Sequence, residues 1–142
     1  MSDAAHIKAV LDGYRTSVYT KDVPAFMSLY DEDVRVFDMW ERWSYRGASQ
    51  WREMATGWFG SLGTDRAAVE FHDVHITEGT DMALVEAFLT FRGVAADGKE
   101  LRSMNNRLTM VLRKTDNGEW KVVHEHTSAP ADFDTGKVNL HR

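Results

Sequence analysis

Trp120-Lys121-Val122-Val123-His124-Glu125-His126-Thr127-Ser128, closed by Ala129-Pro130, is rich in β-branched and aromatic side chains and reads as a strand. Working back from it, Asp116-Asn117-Gly118 is a turn signal, and the residues before it, Leu101 to Thr115, have the same strand character. Asp97-Gly98 and Gly79-Thr80-Asp81 set off two further runs, Met82 to Arg92 and Val69 to Glu78. Long strands joined by short turns of this kind predict antiparallel neighbours, so residues 66–128 read as a four-stranded meander.

Upstream of Arg66 the period changes from two to three and four. Ile7, Val10, Leu11, Tyr14 and Val18 line one stripe of a helix that Ser2 or Asp3 caps. Asp22 and Pro24 open a short second helix carrying Val23, Phe26, Met27 and Tyr30. Val34 to Met39 reads as a first strand that runs into Trp40-Glu41-Arg42-Trp43-Ser44-Tyr45 before Gly47. A third helix then carries Trp51, Met54, Ala55, Trp58 and Leu62, with Gly60 and Gly63 marking its end. Helices first and a meander last is an α+β order, with the helices packed on one face of the sheet. Residues 1–128 are expected to form a single domain. Residues 129–142, which lose all periodicity, are expected to form an ordered or frayed tail with little function.

Composition narrows the function. The chain has 142 residues, enough for one hydrophobic core, and a formal charge of −5, which disfavours a polyanion such as nucleic acid as partner. It has no Cys, so disulfides, thiol nucleophiles and thiolate metal sites are excluded. No apolar run reaches the roughly 18 residues of a membrane span, and the start lacks a basic segment followed by an apolar one, so a cytoplasmic protein without membrane contact is expected. No Gly-rich phosphate loop or nucleophile elbow occurs, and no cofactor is expected.

The order helix, short helix, strand, helix and four strands, with its Trp120-Lys121-Val122-Val123-His124-Glu125-His126-Thr127-Ser128-Ala129-Pro130 ending, resembles the nuclear transport factor 2-like superfamily. The ending is similar to the SnoaL-like proteins and to the association domain of calcium/calmodulin-dependent kinase two. The resemblance covers nearly the whole chain. It implies a cystatin-like fold, in which a cone-shaped, curved antiparallel sheet carries three N-terminal helices on its concave face. The first 60 residues also resemble the ketosteroid isomerases, which place a tyrosine on helix one and an aspartate where the first strand ends. Those places hold Tyr14 and Asp38.

Asp38 follows Val34 and Val36 at strand period, so the three share a face that is apolar apart from the carboxylate. Desolvation there raises a carboxyl pKa toward the range a general base needs; the alternative is a strand-end Asp bonding turn amides in water. Tyr14 lies mid-stripe, as a core tyrosine or as a hydrogen-bond donor to a pocket. The related isomerases also need a protonated acid beside that tyrosine, and residues 101–113 offer none. Asn105 or Arg107 would have to stand in, which weighs against steroid-type isomerisation. Trp40, Trp43 and Trp58, among five large rings within 19 residues, are candidate pocket walls, with core packing open for Trp51 and Trp58. Glu86 and Phe88 lie on a central strand, where a lone acid is either a pocket group or a paired buried charge.

His124 and His126, two apart on a strand, put their Cα atoms about 6.8 Å apart on one side. That spacing suits a metal, but the third ligand is missing unless His72 or His75 lies across the sheet, so no metal is expected. Strand parity turns Glu125 the other way, into the pocket if the histidines face a partner sheet, as the resemblance favours. A bent sheet with helices on one face leaves the other in need of cover, and with Val122, His124 and His126 placed there a homodimer is expected. Two functions follow. One is a pocket protein for a small apolar molecule, and the resemblance implies an isomerase or cyclase type of enzyme that moves a proton on a hydrophobic carbonyl compound. The other is a non-catalytic association module.

Overall fold

The computed structural model describes residues 2–142. Helix α1 spans Asp3–Thr20, α2 Val23–Met27 and α3 Gly47–Ser61. Strand β1 spans Tyr30–Phe37, β2 Tyr45–Arg46, β3 Arg66–Glu78, β4 Met82–Val94, β5 Glu100–Lys114 and β6 Trp120–Ser128. The Ser2 hydroxyl caps α1 by accepting from Ala5 N–H at 3.2 Å, and Lys21 ends that helix in the left-handed region at φ 56°. Asp22 caps α2, with Pro24 in its first turn. Among the described residues no helix is long and apolar enough to cross a membrane.

The six strands form one sheet in the order β2-β1-β6-β5-β4-β3. The meander from β3 to β6 is antiparallel, as its turns predict, whereas β1 lies parallel to β6. The sheet is therefore mixed: the chain leaves β1, makes β2 and α3, and builds the meander from its far edge inward, so that β6 arrives alongside β1 in the same direction.

The register slips at four places. Asp73 and Val74 in β3, Leu101 in β5, Val123 in β6 and the middle of β1 each interrupt a ladder. Extra residues on one strand bend and twist it, and these bend the sheet around the helices. On the covered face, Val85 and Leu89 of β4 and Leu108, Met110 and Leu112 of β5 are buried against Ile7, Leu11 and Val18 of α1 and Trp51, Ala55 and Phe59 of α3. Phe26 stands at the centre, its ring 5.1–6.3 Å from those of Tyr14, Tyr30, Trp51 and Phe59.

Residues 129–142 are ordered. They fold into a loop closed by Asp132 N–H to Lys137 O at 2.7 Å and Asn139 N–H to Pro130 O at 2.8 Å, and then return to β5, where Leu140 O accepts from Asn105 N–H at 2.7 Å. Phe26→Ala leaves a void among four rings, and should lower stability by about 3–5 kcal/mol in urea unfolding with an unchanged slope.

Candidate functional site

Between the curved sheet, α1 and α3 lies a cavity of 600 Å³. Its walls are largely aromatic: Tyr14 from α1, Trp51 and Trp58 from α3, Trp40 and Tyr45 after β1, and Phe91 from β4. Its polar lining includes Asp38, Asn106, Glu125 and Thr127, with Glu41, Arg92, Arg102 and Ser103 as further polar members.

Of the three carboxyl groups that line this cavity, Glu41 is exposed, and Asp38 and Glu125 are sunk in different surroundings. Asp38 Oδ1 accepts from the Thr127 hydroxyl at 3.1 Å, and Oδ2 accepts from Trp40 N–H at 3.4 Å. Thr127 is itself held by Met39 N–H at 3.0 Å. Burial raises the Asp38 pKa, and these hydrogen bonds to the charged form oppose the rise. Glu125 is 1% exposed, and its Oε1 accepts from the Tyr30 hydroxyl at 2.7 Å. Burial pushes its pKa up to about 8; the Tyr30 bond pulls the other way, and the Asp38 charge adds to the rise. Burial, then the charges of Glu125 and Asp38, hold the Tyr14 proton well beyond the usual phenol range. Burial thus favours the neutral forms of Glu125 and Tyr14, while the bonds from Thr127 and the backbone favour the charged form of Asp38.

Glu125 reaches the cavity because of the bulge at Val123. Leu112 pairs with Val122 and Val111 with His124, so Val123 is the extra residue. Val122 and Glu125, three apart, therefore both face the helices, and His124 and His126 face out. The expectation that Val122 shares the histidines' side is corrected: Val122 is fully buried. His124 Nδ1 lies 2.8 Å from Arg35 O, and its ring stands edge-on to Phe37 at 4.9 Å. His72 and His75 lie on β3, three places across the sheet from β6. Among the described residues no group of three or more His, Asp or Glu is arranged to hold a metal.

Of the residues singled out in the sequence, Tyr14, Asp38, Trp40, Trp58 and Glu125 line the cavity. Trp43 does not: Arg42 N–H closes a 2.7 Å turn on Trp40 O, Glu41 is left-handed at φ 66°, and Trp43 is thrown out at 97% exposure. Glu86 and Phe88 face the opposite side of the sheet, because the odd residues Ala83, Val85, Ala87 and Leu89 of β4 are the buried ones. Asn105 and Arg107 face outward for the same reason on β5; Asn105 Nδ2 donates to the Thr90 hydroxyl at 2.9 Å and Arg107 Nε to the Ser128 hydroxyl at 3.0 Å. The residue that fills the expected place is Asn106, one position on. It is buried, its Nδ2 donates to Met39 Sδ at 3.4 Å, and its Oδ1 has no partner among the described residues.

A curved α+β sheet closing an aromatic cavity over two carboxyl groups defines the class of protein. Residues 7–132 match the family model of the SnoaL-like domain, and the chain belongs to that family. Among solved structures it is similar to a nuclear transport factor 2-like protein of unknown function from Pseudomonas putida, with 27% identity over 99% of this chain and 96% of that one, at a TM-score of 0.83. It is also similar to a Novosphingobium aromaticivorans protein proposed to be an aromatic ring hydroxylase, at 23% identity, 89% and 87% coverage and a TM-score of 0.74. A Xanthomonas campestris protein proposed to be a calcium/calmodulin-dependent protein kinase II association domain has 19% identity, 92% and 89% coverage and a TM-score of 0.70. The last two likenesses show the fold alone. No curated protein matches the chain.

The buried acid makes stability depend on pH. The unfolded chain releases the Glu125 proton near its ordinary 4.5 and the folded chain near about 8, so between those values the folded state holds the extra proton and stability falls as pH rises. Asp38 shifts in the same direction. Melting temperatures should therefore decline from pH 5 to pH 8, and Glu125→Gln should flatten most of that decline while leaving stability at pH 5 nearly unchanged.

Proposed function

We propose that this protein binds a small hydrophobic carbonyl compound in the cavity and moves a proton on it without a cofactor. The observation that carries this reading is the pair of carboxyl groups in one aromatic cavity, one bonded as the charged form and the other buried as the neutral form. Burial raises both, but the hydrogen bonds to the charged form hold Asp38 back, and that difference separates a base from an acid.

In the proposed reaction Asp38 takes the proton from the carbon beside the carbonyl, and the electron pair moves onto the carbonyl oxygen. The Tyr14 hydroxyl donates a hydrogen bond to that oxygen and stabilises its developing charge. Protonated Asp38 then returns the proton to carbon, at the same or a conjugated position, and the carbonyl re-forms. Desolvation makes Asp38 a stronger base than an exposed carboxylate, and the aromatic walls hold the flat ligand and exclude water. The SnoaL-like and nuclear transport factor 2-like fold commonly binds small molecules and includes isomerases, which supports the reading. We attach to it a cytoplasmic location.

Deuterium exchange beside the carbonyl of bound ketone and enone probes, followed by NMR, tests the chemistry. Asp38→Asn should retain binding and lose exchange, because the amide keeps the shape but cannot accept the proton. Tyr14→Phe should slow exchange about a hundredfold, the usual loss for one such donor. Wild-type protein that binds the probes yet exchanges no faster than Asp38→Asn would leave a binding protein without proton transfer.

We also propose a homodimer. The outward face of the sheet carries Leu84, Val111 and Phe37 as half-buried side chains, the last edge-on to the His124 ring, an apolar strip that a second copy would cover. The same strip supports the second reading, a self-associating module, which the likeness to a proposed association domain prompts. Sedimentation velocity at micromolar concentration should give a dimer, and Val111→Glu should give a monomer that still binds the ketone probes. A wild-type monomer sinks both the dimer and the second reading.

A further inference from the structure

Strand β5 is longer than its neighbour. β6 ends at Ser128, opposite Arg107, whereas β5 begins at Glu100. The β6 side of the first turns of β5's ladder is therefore left without a strand, at the place where Arg102, Ser103, Met104 and Asn106 line the cavity. An edge of this kind exposes unpaired backbone groups and, here, opens the cavity sideways.

The returning segment fills that gap. Leu140 O accepts from Asn105 N–H at 2.7 Å, and Leu140 joins the cavity wall together with Trp40 and Met104. Two contacts on the outer face hold it there: Arg142 N–H donates to Asn105 Oδ1 at 2.9 Å, and the Arg142 guanidinium lies 3.8 Å from the centre of the Phe88 ring. Little else fastens it. Phe133 is fully exposed and Val138 half exposed, so the loop between Pro130 and Leu140 has no apolar core of its own.

We propose that Leu140 is the side wall that sets the length of ligand this cavity takes, and that Asn105 positions it through the segment's backbone. The proposal rests on the small-molecule reading above. A ligand whose apolar chain extends toward β5 meets Leu140; a longer chain fits only if that side chain is smaller or the segment leaves the edge.

Straight-chain alkyl phenyl ketones of increasing length are the probes, with Kd read from tryptophan fluorescence. In wild-type protein, affinity should rise about fourfold for each added methylene and then stop at one chain length. Leu140→Ala should move that stop two or three carbons further, and Leu140→Trp should bring it earlier. Asn105→Ala, whose side chain lies outside the cavity, should move the stop in the same direction as Leu140→Ala by freeing the segment. Leu140 lies outside the sheet and helices, so circular dichroism should show all variants folded. A stop at the same chain length in wild type and every variant overturns the proposal while leaving the binding reading intact. Wild-type protein that binds none of the ketones fails the binding reading itself, and the wall goes with it.

Discussion

One extra residue in β6 decides what the cavity contains. Without the bulge at Val123, strict alternation from the buried Val122 would aim His124 and His126 at the helices and turn Glu125 out to the opposite face. With it, the apolar anchor Val122 and the acid Glu125 share one side, and Thr127 follows at the next inward position to hold Asp38. The meeting of Asp38, Glu125 and the Thr127 hydroxyl between β1 and β6 thus depends on a single interruption of one ladder. The two histidines are released to the outer face, where Phe37 covers their rings edge-on.

The same bends that curve the sheet also leave it unequal at its end. β1 and β6 meet in parallel, so the end of β1 at Phe37 and the end of β6 at Ser128 lie on the same side of the sheet. The cavity opens there, since Asp38, Trp40 and Thr127 all sit just at or beyond those ends. A sheet of even strands would have closed this corner with backbone hydrogen bonds. Here the corner is walled by side chains, which can be large, aromatic and different from one another, and by the returning segment.

Much of this was legible in the residues. The three helices, their caps and the four strands of the meander follow from stripes and turn signals, and the place of Asp38 follows from its spacing with Val34 and Val36. What failed was parity. The apolar neighbours of Glu86 and Phe88 do not tell which face of β4 the helices cover, and Asn105 and Asn106, one residue apart, stand on opposite faces of β5. A bulge has no fixed residue signature, so Val123 could not be told from its neighbours, and the parity of β6 beyond it was open. Trp43 failed differently, because a left-handed Glu41 and one tight turn reverse its direction. Position 140 gave no periodic signal, since its role comes from where β6 stops.

The polar groups of the cavity are costly to the fold. An acid buried with one hydrogen bond and an amide oxygen with no partner each oppose folding by something on the order of 1–3 kcal/mol, and apolar residues of the same size at 106 and 125 would pack against the same walls without that loss. Such groups usually gather where a site needs them, while the rest of the core follows simple patterning. In this chain the contrast is sharp within single strands: Leu108, Met110 and Leu112 continue inward from Asn106, and Trp120 and Val122 lead inward to Glu125, so each strand is apolar until it reaches the cavity. A purely structural account explains the apolar stretches but not the change at the cavity's edge. The Asn106 Oδ1 at that edge is an acceptor without a donor, and what would satisfy it is a hydroxyl or N–H brought into the cavity from outside.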